Sequence, residues 1–220
     1  MSESSYWQDY YLKSNLSYIP SQFAVFVANE LANYSSLPFI VEIGCGNGKD
    51  TIFFNKLGFN AIGFDQSDQA ISSGIKYCSD NGIDLQTTDQ ILFARDLNNI
   101  SLLDVKDKVN QLNSKALVIY TRFFLHAIDD DEEIIFWELL DKIGDIYSID
   151  VYLEFRNIND KDRCKETSDH YRRYLDNNIF YKTATLHGFD VEYFVEGMGL
   201  AKFKTDDAYV SRFKLSKQCC

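Results

Sequence analysis

An α/β fold is predicted on three observations. An apolar run from Pro38 to Ile43 stops at Gly44-Cys45-Gly46-Asn47-Gly48, with glycines on alternate positions, and helical material resumes at Asp50. A strand, a tight glycine loop and a helix start in that order open a βαβ unit. A second continuous apolar run, Ala116 to Tyr120, reads as another buried strand of a parallel sheet. Finally, Asp190–Glu196 and Ala208–Leu215 alternate as strands do and lie too close for a helical crossover, so the chain ends in an antiparallel hairpin.

The elements follow in order. Residues 6–13 (Tyr-Trp-Gln-Asp-Tyr-Tyr-Leu-Lys) are rich in aromatics. They form either a helix packing Trp7, Tyr10 and Tyr11 on the sheet or a lid over a ligand, and residues 1–36 are taken together as an N-terminal helical lid. Positions 23, 26, 27 and 31 make a helical stripe that Ser21 can cap. The glycines of the loop tolerate left-handed backbone and let a ligand approach the bare main chain. A dinucleotide fingerprint would put its third glycine at Lys49, which this chain does not do. Ile52, Phe53 and Leu57 pack the next helix, which Gly58 ends. Asn60–Asp65 is a second strand closing on an acid, followed by Gln66. An acid at that strand end can accept both ribose hydroxyl protons of an adenosine; the alternative is a solvated aspartate in a turn. A helix runs from Asp68 to Asn81, residues 83–90 fit no pattern, and Ile91–Arg95 is a short third strand with Asp96-Leu97 directly after it.

The strand at 116–120 runs into Thr121-Arg122-Phe123-Phe124-Leu125-His126. The acidic run Asp129 to Glu133 is read as a helix N-terminus rather than a cation site, because Ile134, Ile135 and Phe136 begin an apolar stripe behind it. A strand within Ile146–Phe155 ends Leu153-Glu154-Phe155-Arg156. The charged segment 157–168 lacks periodicity and reads as a loop, and 157–175 as an insertion. Leu175 to Leu186 is helical and closes on His187-Gly188.

With 220 residues, one domain is the natural reading. A net charge of −11, from 33 acids against 22 Lys plus Arg, argues against nucleic-acid or anionic-membrane surfaces. No apolar run has the length of a membrane span and the start is no signal peptide, so a cytoplasmic protein is expected. The five cysteines show no metal spacing and are expected to be reduced thiols; Cys78 and Cys164 are isolated, and Cys219 and Cys220 stand at the end.

Glu42-x-Gly44-x-Gly46-x-Gly48, with Asp65, Asp96 and the terminal hairpin, resembles the class I S-adenosylmethionine (SAM)-dependent methyltransferases. The resemblance implies a Rossmann-like, seven-stranded, mostly parallel sheet of order 3-2-1-4-5-7-6, its last strand antiparallel, with helices on both faces. It implies SAM as cofactor, held by Glu42, Gly44, Cys45, Gly46, Gly48, Asp65, Gln66, Asp96, Leu97 and Tyr120. Asp96 would accept from the adenine amine and Leu97 cover the ring. Aromatic faces suit a sulfonium through cation–π attraction, and Tyr11 is assigned to the acceptor side. Metal-dependent O-methyltransferases of this fold carry an Asp where Tyr120-Thr121-Arg122 stands, so no metal is expected. The [DN]-P-P-[FY] motif of many amino-methylating enzymes is absent.

More narrowly, 121–126, 154–156 and 170–173 resemble a bacterial subgroup associated with capsular and other surface polysaccharides, where the methylated group can be a phosphoramidate. The implied partner is a small-molecule or glycan-linked acceptor: phosphate, phosphoramidate or sugar hydroxyl. In a chain so acidic, Arg122, His126, Arg156, His170, Arg172 and Arg173 all fall at or just after the carboxyl ends of strands 4 and 5, the ligand-binding edge of an open α/β sheet. Guanidinium forks suit phosphate or carboxylate. Alternatively, Arg122 and Arg156 pair with acids such as Glu154, and Arg172 and Arg173 form a solvated helix face. A hydroxyl acceptor needs a base, for which His126 is the candidate, oriented by Glu154 and beside Arg122; an ionised acceptor needs none. A non-catalytic SAM-binding regulator and a nucleotide-dependent oxidoreductase are the competing readings.

Overall fold

The computed structural model describes residues 3–13, 17–83, 90–100, 105–106, 109, 116–163, 165 and 170–219. Residues 84–89, Cys164, 166–169 and Cys220 lie outside the described residues. The chain falls into two compact units, up to residue 114 and from residue 115.

In the first unit, α1 (Glu3–Lys13) and α2 (Gln22–Leu31) precede β1 (Phe39–Ile43), α3 (Lys49–Lys56), β2 (Asn60–Asp65), α4 (Asp68–Asp80) and β3 (Leu92–Ala94). The apolar stripe of α2 is buried at Phe23, Ala24, Val27, Ala28 and Leu31, and Ser21 caps it by accepting from the Ala24 N–H. Ser21 also donates through its N–H and hydroxyl to Asp50 at 2.7 Å each, tying the start of α2 to the first turn of α3. β1 is buried along its whole length and pairs parallel with β2, which pairs parallel with β3. A strand with no solvated face has no reason to alternate, which explains why its sequence is apolar at every position but Glu42.

In the second unit, β4 (Leu117–Arg122), α5 (Asp130–Gly144), β5 (Ile149–Arg156), α6 (Asn177–Leu186), β6 (Asp190–Gly197), a short hairpin β7 (Lys202–Phe203) and β8 (Asp206–Asp207), and β9 (Val210–Lys217) follow. The acidic run does begin a helix: Asp129 and Glu132 form a reciprocal capping box at the N-terminus of α5. β4 and β5 are parallel; β9 is antiparallel to both β5 and β6. The large sheet has the order β3-β2-β1-β4-β5-β9-β6. This is the expected order, with the unforeseen β7–β8 hairpin inserted between the last two large strands. Among the described residues no helix is long and apolar enough to cross a membrane.

Candidate functional site

In the first unit the chain leaves β1 in left-handed backbone at Gly44, Gly46 and Gly48 (φ 74°, 56° and 71°). The Gly44 and Cys45 N–H groups both donate to the Phe64 carbonyl, at 2.8 and 3.0 Å, so the loop is anchored to the end of β2. Close approach fixes Gly46, because a Cβ there would lie 2.1 Å from the Tyr11 hydroxyl. The Gly46 N–H donates to Asp65 Oδ2 at 2.7 Å, and the Ser67 N–H to Oδ1 at 2.9 Å. A carboxylate offers about four lone-pair sites, so both oxygens keep capacity for a diol. Burial pushes the Asp65 carboxyl up, against the pull of these two amide bonds.

Glu42 is buried, and its Oε2 accepts from the Thr51 hydroxyl. Burial, then the neighbouring Asp50, drives its pKa well above the ordinary 4.5. Cys45 is likewise buried and its thiol pushed well up by burial and by Glu42 and Asp65, so it is not a reactive thiolate. Over the loop lies α1: the Tyr11 hydroxyl rests on Gly46, while Gln8 Oε1 accepts from Ser67 Oγ and the Gln69 N–H at 3.2 and 3.3 Å. Burial and Asp65 together hold the Tyr11 phenol well above its usual range.

Beyond the ends of β2 and β3 lies a cavity of about 530 Å³ lined by Gln66, Asp68, Ala94, Arg95, Asp96 and Asn99. Its size falls in the range of about 300–1,000 Å³ usual for small-molecule sites. Asp96 caps the short 3₁₀ turn Leu97–Asn99, accepting from the Asn99 N–H at 3.0 Å and its side-chain amide at 2.7 Å. Leu97 is buried and does not line the cavity.

In the second unit a row of charge crosses three strands. Arg122 on β4 is in register with Glu154 on β5, and Glu154 with Arg212 on β9. The Arg122 and Arg212 Nε–H groups donate to the two Glu154 oxygens at 2.8 and 2.7 Å. Arg156 donates to Asp160 at 2.6 Å and to Asp206 at 2.5 Å, which outweighs the effect of its burial and raises its pKa. Arg173 is bound to Asp130, to Glu133 at 2.6 Å and to the Leu125 carbonyl at 3.1 Å.

Between these pairs sits Phe123, with φ 57°, rare for a bulky residue. Its N–H donates to the Glu154 carbonyl at 2.8 Å. The Arg122 guanidinium lies 4.1 Å from its ring centre, that of Arg156 5.4 Å, and the His126 ring 5.1 Å away edge-on. Ala201, Ala208 and Val210, from around the β7–β8 hairpin, form the cluster on which it packs together with Leu200. His126 is 5% exposed and its Nδ1 accepts from the Arg156 N–H at 3.1 Å. Burial, then the positive charges of Arg156, Arg172, His170 and Arg122, hold its pKa well below 6.5.

No family model and no curated protein matches the sequence. The fold does match solved structures. Magnesium protoporphyrin IX methyltransferase from Synechocystis, crystallised with bound SAM, superposes with a TM-score of 0.64 at 12% identity, over 99% of this chain and 98% of its own. A SAM-dependent methyltransferase from Anabaena variabilis gives 0.63 at 17% identity, over 98% and 93%. The glycopeptide N-methyltransferase MtfA complexed with SAM gives 0.61 at 12%, over 90% and 95%. The fold is that of SAM-dependent methyltransferases.

Within this methyltransferase fold, the sequence-selected residues separate by unit. Gly44, Cys45, Gly46, Gly48, Asp65 and Tyr11 gather at one loop, and Gln66 and Asp96 line the adjoining cavity. Glu42 lies buried against Thr51 and Leu97 lies off the cavity; Tyr120 is fully buried on β4. His126, Arg122, Glu154, Arg156, His170, Arg172 and Arg173 belong to the second unit, but not in the expected arrangement. Both Glu154 oxygens bind arginines, and the group that fixes His126 is the Arg156 N–H. Arg173 is an anchor on α5, not part of a solvated helix face; it precedes the start of α6. Asp206, Asp160 and Arg212 were missed. Only strand alternation hinted at Arg212, and nothing in Thr205-Asp206-Asp207 marks Asp206 as the partner of a residue so distant in sequence.

Proposed function

We propose that this chain is a metal-independent SAM-dependent methyltransferase whose acceptor is a small anionic or sugar-linked molecule of bacterial surface-polysaccharide synthesis. The observation that carries the reading is Asp65, bound to the Gly46 N–H yet keeping acceptor capacity, beside a cavity lined by Gln66 and Asp96. These fit an adenosine: a carboxylate for the ribose diol and a second carboxylate for the exocyclic amine, with Tyr11 covering the loop at Gly46. The donor, when bound, supplies a methyl already activated on a sulfonium. The protein's part is then mainly alignment, which contributes about 7–11 kcal/mol in well-oriented systems. The Arg/His residues of the second unit are the acceptor side of this reading, and the resemblance of their segments supports the polysaccharide assignment.

The pairing of Arg122, Arg156 and Arg173 with acids favours a second reading, a SAM-binding regulator that transfers nothing. Calorimetry with SAM, S-adenosylhomocysteine and NAD tests the donor: the first two should bind, NAD should not, and Asp65→Ala should weaken SAM by about tenfold or more. Radiolabelled methyl transfer to phosphorylated and neutral saccharides then separates enzyme from regulator, since the regulator binds SAM without any turnover.

A further inference from the structure

His126 lies at the centre of the second unit's buried charge, and its hydrogen bonding fixes its chemistry. Nδ1 accepts the Arg156 N–H at 3.1 Å, so that nitrogen carries a lone pair and not a proton. In a neutral imidazole the proton is then on Nε2. Among the described residues Nε2 has no hydrogen-bond partner, although the residue is 5% exposed. A half-turn of the ring about Cβ–Cγ would put Cδ2 in place of Nδ1 and lose the Arg156 contact. Phe123 is itself held in a left-handed turn by the Glu154 carbonyl, by the cluster around Ala201 and Ala208, and by two guanidinium groups. Beside burial, the groups that lower the His126 pKa are Arg156 from β5, Arg172 and His170 from the segment before α6, and Arg122 from β4; Arg156 is itself paired with Asp160 and Asp206, and Arg122 with Glu154. A general base here would need a lone pair on Nε2 and would create an imidazolium among arginines. Both features oppose base chemistry, and both suit donation to an anion.

We propose that His126 Nε2–H is the donor of an oxyanion subsite, and that the methyl acceptor is a molecule whose nucleophilic oxygen is already ionised, a carboxylate or phosphate-type monoanion rather than an alcohol. This rests on the methyl-transfer reading above. In the step, a lone pair of the acceptor O⁻ forms the O–CH₃ bond. The C–S bond breaks with its electrons going to sulfur, which passes from sulfonium to thioether. The acceptor loses one negative charge and no proton moves. His126 and the neighbouring arginines hold the anion and need neither accept nor release a proton.

The test uses the full chain without donor. Imidazole ¹⁵N spectra at neutral pH should show His126 as the neutral Nε2–H tautomer, and it should stay neutral as the pH falls through 6.5. Inorganic phosphate or acetate, titrated separately, should shift the Nε2–H signal, and response to one or both tells which oxyanion the subsite takes. His126→Phe should weaken that binding by about tenfold or more, while His126→Gln, which keeps a donor, should retain most of it. An Nδ1–H tautomer, a titration of His126 near its ordinary value, or no response to either anion overturns the proposal. SAM calorimetry on the same sample keeps the two readings apart. SAM binding with a titrating His126 sinks the oxyanion subsite alone. An anion-responsive Nε2–H in a chain that does not bind SAM sinks the methyl-transfer reading and the acceptor assignment resting on it.

Discussion

Replacing Glu154 by alanine removes the carboxylate shared by Arg122 and Arg212. The Glu154 side chain is fully buried, Arg212 keeps 7% of its side-chain exposure and Arg122 16%, so Arg212 is the less solvated of the two guanidinium groups. Removing one partner of a buried ion pair costs about 3–5 kcal/mol, because the remaining charge loses its compensation. For a chain of this size, about 2–4 °C of melting temperature corresponds to each kcal/mol, so the expected loss is about 6–20 °C. Trp137 lies in the second unit and Trp7 in the first. Fluorescence of Trp137 in a Trp7→Phe background therefore follows the affected unit through heat and urea. Glu154→Gln, which keeps the shape and one acceptor, should lose less, and His126 should keep its tautomer in both variants. A loss below about 1 kcal/mol, the scale of a surface pair, would refute the reasoning. So would a variant that loses turnover while its unfolding curve stays unchanged, since Glu154 would then be acting on chemistry rather than on its two arginines.

Gly46→Ala adds a Cβ 2.1 Å from the Tyr11 hydroxyl at a φ of 56°, and should displace α1 and cost about 1–2 kcal/mol for the left-handed backbone alone. Adding Tyr11→Phe should recover the steric part but not the backbone part, as a thermal-shift double-mutant cycle will show. Burial holds His126 well below 6.5 in the folded state. Its stabilising contribution is thus complete above that value and lost as pH falls, when the unfolded chain takes up a proton the native ring refuses, at up to about 1.4 kcal/mol per pH unit; His126→Gln should flatten the acid limb of a stability–pH curve. Glu42 has the opposite sign, with its folded pKa well above 4.5. Its contribution is complete below that value and lost as pH rises through the raised one, so Glu42→Gln, whose amide oxygen can still accept from Thr51, should be stabilising at pH 8 and nearly neutral at pH 4. Melting temperatures at the two pH values decide it.

The fold was legible because its signals are local. β1 is buried on both faces and reads as an apolar run broken only by Glu42, the glycines mark left-handed turns, and Asp129 with Glu132 caps α5 within one turn. The glycine loop and its acids were legible for a related reason: Asp65 closes β2, and Gly46 and Asp96 follow the ends of β1 and β3. The pairing within the Arg/His cluster was not. Whether Glu154 meets His126 or Arg212 depends on the register of β5 against β9, which places Glu154 opposite Arg212. No local pattern carries that register. The tautomer of His126 depends on a backbone N–H of Arg156, which every non-proline residue possesses and no composition reveals. Of the two arrangements open to these arginines, Arg122 and Arg156 adopt pairing with acids.

The hairpin β7–β8 has two residues in each strand, and surface connections of that kind ordinarily accept insertions and deletions freely. Here its Asp206 is bound to Arg156, its flanking Leu200 carbonyl accepts from Arg212 at 2.6 Å, and Ala201 and Ala208 pack with Phe123. Lengthening the connection between Gly197 and Val210 would pull on Arg156 and Phe123, which hold the His126 ring, and on Arg212, so this stretch should tolerate changes of side chain on its exposed face far better than changes of length.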